Sequence, residues 1–346
     1  ADGNLGQLLV PAAEQDRVLQ VFAGFPLDPV LAFKLTVARE QMPHIYHHCL
    51  QVALCAVVLS MASPGSGEND WRDAAAAGLF HDLGFLHLDS AFLGEERRVT
   101  ARERQYIYSH PILAELILNR APSWHSNVRR AALEHHERLD GSGYPRGLSE
   151  AQISPLGQLL AVADLVPSLF LRRRFTPLAS HVHVILRLNQ GKFNRAISDR
   201  ITALVKRNSD LDSRWTSDDL SYATVLDDLV VLSVDIQSWH SIAARYDKLP
   251  VVELINRRLK RLEKNCAGVG IDLQYWGMID ADVGTDQGTL RELAAGAAEA
   301  RWQLCAIAQE IQRKWKSLCP QHQTVREEIW EWIGRIDREA PALSDA

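Results

Sequence analysis

The chain has 346 residues, 47% of them hydrophobic and 23% charged, and its 38 Lys and Arg against 43 Asp and Glu leave a formal charge of -5. That length suggests about two domains with room for a real core. The acidic balance excludes a protein whose main task is to neutralise phosphates along a duplex, so no DNA partner is expected.

In chain order, the opening ADGNLGQLL has no basic stretch followed by an apolar one, and no secretion signal is expected. The segment 45–61, IYHHCLQVALCAVVLSM, is long, apolar and free of Gly and Pro, which predicts one buried helix. The longest apolar stretch, Val52 to Ala62 with Ser60 inside it, falls short of the roughly 18 apolar residues of a membrane-spanning helix, so no span is expected. Apolar residues at three and four spacing predict further helices over 71–83, 101–119, 126–137, 155–171 and 180–206. Turn signals separate them: SPGSG at 63–67, Pro122, and DGSGYPRG at 140–147.

The polar segment KRNSDLDSRWTSDD, 206–219, reads as a linker. Beyond it the run LVVLSVDI, 229–236, fits either a strand or a buried helix, and periodicity does not separate the two. Three helical stripes follow: Val251, Ile255, Leu259 and Leu262; Leu304, Ile307, Ile311 and Trp315; Val325, Ile329, Ile333 and Ile336. The expected fold class is all-α. A first domain over 1–205, with an N-terminal helical extension, is joined by the linker to a smaller helical domain over 220–346 of unknown role. Five cysteines (Cys49, Cys55, Cys266, Cys305, Cys319) are odd in number and lack CxxC spacing in a chain that needs no staples, which predicts a reduced, cytoplasmic protein.

Histidine is the odd item in the composition: nine of the 13 lie between positions 44 and 136. His48 falls inside the apolar helix, where an unpaired imidazole is costly to bury. His81-Asp82 ends a helix, His110 precedes Pro111 and the run ILAELIL, His135-His136 ends a helix before a glycine-rich loop, and Asp164 interrupts LLAVADLV. One arrangement explains all of them. Helices that point these groups inward at a shared metal centre satisfy side chains that the apolar faces would otherwise strand.

The order His, His-Asp, His, His-His, Asp, together with HHERLDGSGYPRGL over 135–148, resembles the HD-GYP family of the metal-dependent HD phosphohydrolase superfamily, and the resemblance spans roughly His44 to Lys206. It implies a helical bundle, two divalent metal ions with iron or manganese favoured, and hydrolysis of cyclic di-GMP. Carried over by position, it implies His48, His81, Asp82 and Asp164 around one metal and Asp82, His110, His135 and His136 around the other, with Asp82 bridging. It allows a third metal at His44, one turn before His48; His47, His87 and His125 match no ligand position. Imidazole and carboxylate donors together suit iron, manganese or zinc.

The resemblance implies that the loop DGSGYP lies beside the active site, where it governs substrate access or docks a diguanylate cyclase. Gly141 and Gly143 permit φ > 0, Pro145 fixes the exit, and Tyr144 gains a defined direction. Arg173 matches a family arginine that contacts substrate phosphate, and its fork suits that task. Three features depart from the family. The motif HDIGK reads HDLGF here, so a lysine that contacts the scissile phosphate is Phe85; an acidic residue and an arginine of the following helix are Pro167 and Gln158; the tryptophan of the signature loop is Leu139.

Three functions are therefore expected, in order. The first is a cyclic di-GMP phosphodiesterase slowed by the missing lysine, with Asp82 and Arg173 as catalytic residues and Tyr144, Gly143 and Phe85 near the substrate. The second is an impaired module that binds a cyclic dinucleotide or docks a cyclase, its C-terminal helices relaying the signal or pairing in a homodimer. The third is an HD phosphohydrolase of another nucleotide or phosphoester. On the first reading, Phe85→Lys would speed turnover without changing metal content.

Overall fold

A computed structural model describes the chain except for residues 1–5, 7–8, 11–13, 90–98, 122–123, 172–178, 208–220, 247, 274–286, 319–322 and 339–346. The described residues are helical and form no strand, as expected. By packing the chain divides into two units, 1–173 with 191–215, and 174–190 with 216–346.

In the first unit, α1 (Gln15–Ala23) and α2 (Pro29–Gln41) make up the N-terminal extension. Helix α2 starts where Asp28 accepts from the Val30 amide at 2.8 Å and Pro29 occupies the first turn, where a missing N–H costs nothing. Helix α3 (Pro43–Met61) likewise starts on a proline and packs against α4 (Glu68–Phe80) and α8 (Pro155–Leu171). The α3–α4 seam explains the run AAAAG at 74–78. These residues are buried, and a Cβ at Gly78 would lie 2.4 Å from the Ala53 Cα, so only glycine permits the two backbones to approach this closely.

Length and composition make α3 long and apolar enough to cross a membrane, which the count of uninterrupted apolar residues missed. Its apolarity is explained by burial within the unit, where Val52, Ala53, Cys55, Ala56, Val57 and Leu59 are fully covered.

The helix expected over 101–119 is two. Helix α5 (Ala101–Ile107) opens with Thr100 and Glu103 in a reciprocal cap, and α6 (His110–Leu118) begins afresh. Pro111 causes the break, because it has no N–H to continue α5 and its ring excludes the preceding turn. Helix α7 (Ser126–Glu134) ends earlier than expected, leaving both His135 and His136 past its last turn.

The helix expected over 180–206 also divides, into α9 (Ala179–Leu188) and α10 (Arg195–Arg207). Gly191 takes φ +87 between them, and the Asn194 side chain caps α10 through the Ala196 amide at 3.0 Å. The division moves the expected domain boundary. Helix α10 stays with the first unit, while α9 packs in the second with its Leu188 fully buried. A continuous apolar period carries no sign of which core each half joins.

The second unit adds α11 (Tyr222–Ala243), α12 (Pro250–Ala267), α13 (Gln287–Leu318) and α14 (Gln323–Arg338). Residues 229–236 are helical: Leu229, Leu232 and Ile236 are buried while Val230, Val231 and Val234 are exposed, a three-and-four pattern that no strand makes. The three expected stripes face one core, where the rings of Trp239 and Trp332 meet at 4.8 Å. Arg258 and Glu310 form a buried two-point ion pair, with both N–O distances 2.9 Å, and Lys314 adds a third contact at 2.7 Å. Leu188 also presents its carbonyl to Asn265 and Gln303, which fastens the end of α9 to α12 and α13.

Candidate metal centre

Helix boundaries position most of the cluster. His81 is the first residue past α4, and Asp82 opens the 3-10 turn Leu83–His87. His110 opens α6, and His135 and His136 follow α7; only His48 in α3 and Asp164 in α8 stand inside helices. A residue at a helix end has a backbone free of the helical register on one side. Its side chain can therefore turn into the bundle where a mid-helix position would direct it along a fixed face.

Three of the imidazoles are held in the same way. Nδ1 of His81, His110 and His135 sits 2.8, 2.7 and 2.6 Å from the carbonyl oxygens of Gly78, Ile107 and Ala132 respectively, each three residues back. A carbonyl oxygen only accepts, so Nδ1 carries the proton and donates it, and in the neutral ring Nε2 is left with a lone pair aimed inward. That is how a protein fixes the tautomer of a metal-ligating histidine.

The inward atoms fall into two groups, His48, His81 and Asp164, and Asp82, His110, His135 and His136, with donor atoms within 4.8 Å of one another in each. Asp82 lies between them. Its Oδ1 faces Nε2 of His110 at 3.2 Å and of His135 at 3.6 Å, while its Oδ2 faces Nε2 of His81 at 3.3 Å and of His48 at 3.8 Å. Asp164 spans the groups as well, with Oδ1 2.9 Å from His48 and 3.6 Å from His81, and Oδ2 3.8 Å from Nδ1 of His136. The sequence suggested one bridging carboxylate, and the geometry offers two.

Unassisted, this arrangement is unfavourable. His110 and His135 direct Nε2 at each other across 3.2 Å, and with Nδ1 holding each proton, two lone pairs meet. His81 Nε2 and Asp82 Oδ1 are buried without a hydrogen-bond partner. Stranded polar atoms of this kind are costly. A cation between them removes the cost, so the residues present fit divalent metal ions with mixed nitrogen and oxygen coordination.

The charges agree with that fit. Burial alone would raise the Asp82 and Asp164 carboxyls, but His81, His110 and His135 around the first and His48 and His81 around the second hold both well below the usual range. Burial lowers His135 to about 4 and takes His136 well below its ordinary value, which keeps both rings neutral and available as ligands near pH 7. For His81, burial is outweighed by Asp82 and Asp164, which raise it well above the ordinary value. A metal ion held there would take the place of a proton on His81 between the same pair of carboxylates.

The other site residues divide. His44 sits one turn before His48 but is exposed, and its ring atoms belong to neither group. Arg173 lies outside the described residues, as do Arg172 and Arg174. Phe85 is partly buried, with its ring stacked on His110. Tyr144 stacks on His136 at 4.7 Å, and its ring also meets Tyr108 at 4.3 Å.

The glycine-rich loop departs from expectation at one position. Gly141 takes φ +74 as expected, whereas Gly143 does not have positive φ. It is needed for closeness instead: a Cβ there would lie 2.4 Å from the Glu137 Cα. Gln158 has a structural role, donating to the Ile153 carbonyl and accepting from Asn194.

Two buried acids escaped the sequence reading, Glu134 and Glu137, which flank the histidine pair. Glu137 is buried and accepts from the Arg146 amide at 2.7 Å and the Leu148 amide at 2.9 Å, fastening the end of the loop. Glu134 is fully buried and takes Arg130, Arg146 and Ser154. The signal was the pattern EHHE, in which acids adjoin two inward histidines. A Glu137→Ala chain is expected to lose about 1–3 kcal/mol, because two loop amides lose a charged acceptor. Chemical denaturation monitored by circular dichroism checks this, and an unchanged midpoint would show the loop to be held by other contacts.

Comparison with known proteins places this geometry in context. A family model described as an HD domain matches residues 36–181. A cyclic di-GMP phosphodiesterase of Pseudomonas aeruginosa is 30% identical over 165 residues, 47% of this chain and 39% of that protein. A 3'3'-cGAMP-specific phosphodiesterase of Vibrio cholerae is 29% identical over 172 residues, 49% of this chain and 36% of its own. A cyclic di-GMP phosphodiesterase of Thermotoga maritima is 31% identical over 146 residues, 41% of this chain and 40% of its own. The matched part of the chain thus spans well under half the length of these relatives.

Proposed function

Since residues 36–181 are an HD domain of the HD-GYP type, we propose that the chain is a metal-dependent phosphodiesterase of cyclic dinucleotides, with cyclic di-GMP as its first substrate. The observation that carries this reading is the pair of donor groups joined by Asp82, in which the buried His81 Nε2 and Asp82 Oδ1 make no hydrogen bond. In this reading His48, His81, Asp82 and Asp164 hold one ion and Asp82, His110, His135 and His136 the other, iron or manganese. Bound there, such a pair activates a water molecule and offsets the charge of an in-line phosphodiester displacement.

The chain's own residues do the rest. The carbonyls behind His81, His110 and His135 hold the Nδ1 proton, so each ring, when neutral, aims an Nε2 lone pair inward. Tyr144 and Gly143 form the loop at the substrate's edge, and Arg173 contacts a phosphate. Phe85 supplies neither charge nor hydrogen bond where the family has lysine. Loss of one such donor typically costs about 10²- to 10³-fold in rate, so turnover is slow.

The same residue favours the second reading, a module that binds a cyclic dinucleotide or docks a diguanylate cyclase through the loop without hydrolysis. Metal-replete chain incubated with cyclic di-GMP, and separately with 3'3'-cGAMP, decides between them. The expected result is slow appearance of the linear dinucleotide. Binding of either nucleotide with no linear product under iron or manganese overturns the enzyme in favour of the module. Neither binding nor hydrolysis of the two directs the search to other phosphoesters.

A further inference from the structure

Three successive parts of the HDLGF turn close on one histidine. Asp82 Oδ1 faces His110 Nε2 at 3.2 Å. The backbone of Gly84 is so near that a Cβ there would lie 2.0 Å from the His110 carbonyl oxygen. The Phe85 ring then covers the imidazole nearly flat, with centroids 4.1 Å apart and 18° between the planes. On the far edge the His110 Nδ1 is tied to the Ile107 carbonyl.

We infer that Phe85 is a positioning residue for a metal ion held by Asp82, His110, His135 and His136: this chain has an aromatic ring that favours occupancy of that group where the family motif has a lysine. The inference rests on reading those four residues as a metal site.

Two physical reasons support it. The terminal torsion of a histidine is broad, so one hydrogen bond at Nδ1 leaves the ring free to rock about that contact, and a flat neighbour removes this freedom. An imidazole bound to a divalent ion also carries positive charge, which an aromatic face attracts and an ammonium in the same place would repel. Tyr144 acts alike on His136, with 29° between the planes. Both stacked ligands belong to the same group. The departure from the family motif is therefore a change of role at this position, and Phe85→Lys is no longer expected to leave metal content unchanged.

The test needs no nucleotide. Full-length chain stripped with chelator is titrated calorimetrically with Mn²⁺, and His110→Ala identifies the binding step that belongs to the His110 group. Phe85→Leu, which keeps an apolar side chain without the ring, should weaken that step about tenfold and leave the other unchanged. Phe85→Tyr should restore it, and Phe85→Lys should weaken it further. The visible spectrum of the Co²⁺ form should change in Phe85→Leu and return in Phe85→Tyr. Wild-type affinities for both ions in Phe85→Leu and Phe85→Lys overturn the inference while the metal reading stands, as does weakening of only the other step. A wild-type chain that binds no ion overturns both.

Discussion

An Asp82→Ala chain is expected to lose both metal ions and with them any turnover. The reason is the position of the two oxygens, Oδ1 toward His110 and His135 and Oδ2 toward His81 and His48, so that one side chain serves both groups. Removing it withdraws a donor atom and negative charge from each. It also leaves imidazoles that burial holds neutral, His135 among them, with one less group to share a cation. Asp164 spans the groups at longer reach on the His136 side, 3.8 Å, and is the weaker bridge there. Elemental analysis of the purified variant checks the result. Two ions per chain in Asp82→Ala would show that Asp82 does not bridge and that Asp164 suffices.

The second large effect lies in the other unit and concerns stability. Glu310→Ala should cost about 3–5 kcal/mol, because it removes the two-point carboxylate partner of a guanidinium held in the core. The pair itself need not be strongly stabilising, since burying two charges offsets much of their attraction. The double variant Arg258→Met with Glu310→Leu should therefore recover most of the loss. Denaturant titration of the three proteins measures this. Metal content should stay at the wild-type level in all three, since each donor of the candidate centre belongs to the first unit. A Glu310→Ala chain of undiminished stability would mean that Arg258 finds water or another acceptor.

The candidate centre was legible in the sequence because its residues are chemically out of place. A histidine in an apolar helix, a His-Asp pair at a helix end and an aspartate inside LLAVADLV each need an explanation from their neighbours alone. Glu134 and Glu137 gave no such signal. Acids beside histidines near a helix end look solvated in sequence, and only the fold shows that they are buried under loop amides. Phe85 read as a loss for the same reason: a sequence shows the charge that is missing but not the ring on which the phenyl lies. Helix positions were recovered well where periodicity ran unbroken, as in α3 and α8. They were missed at Ser109 and at 189–194, where Pro111 and Gly191 end a helix without ending the apolar pattern. The assignment of α9 to the second core depends on long-range packing that no local pattern encodes.

The alanine and glycine run at 74–78 gives evolution an unusual constraint. His48 lies in α3 and His81 directly follows α4, and what sets their separation is the thickness of the seam between α3 and α4, where Gly78 lies against Ala53. Those residues have no chemistry of their own, yet each added methylene would act as a shim that spreads the ligands of one ion. Mutational drift should thus be slower in this plain stretch than at many charged positions of the surface, and a library meant to alter metal preference would gain more by varying seam volume in paired steps, one helix shrinking as the other grows, than by exchanging the ligands themselves.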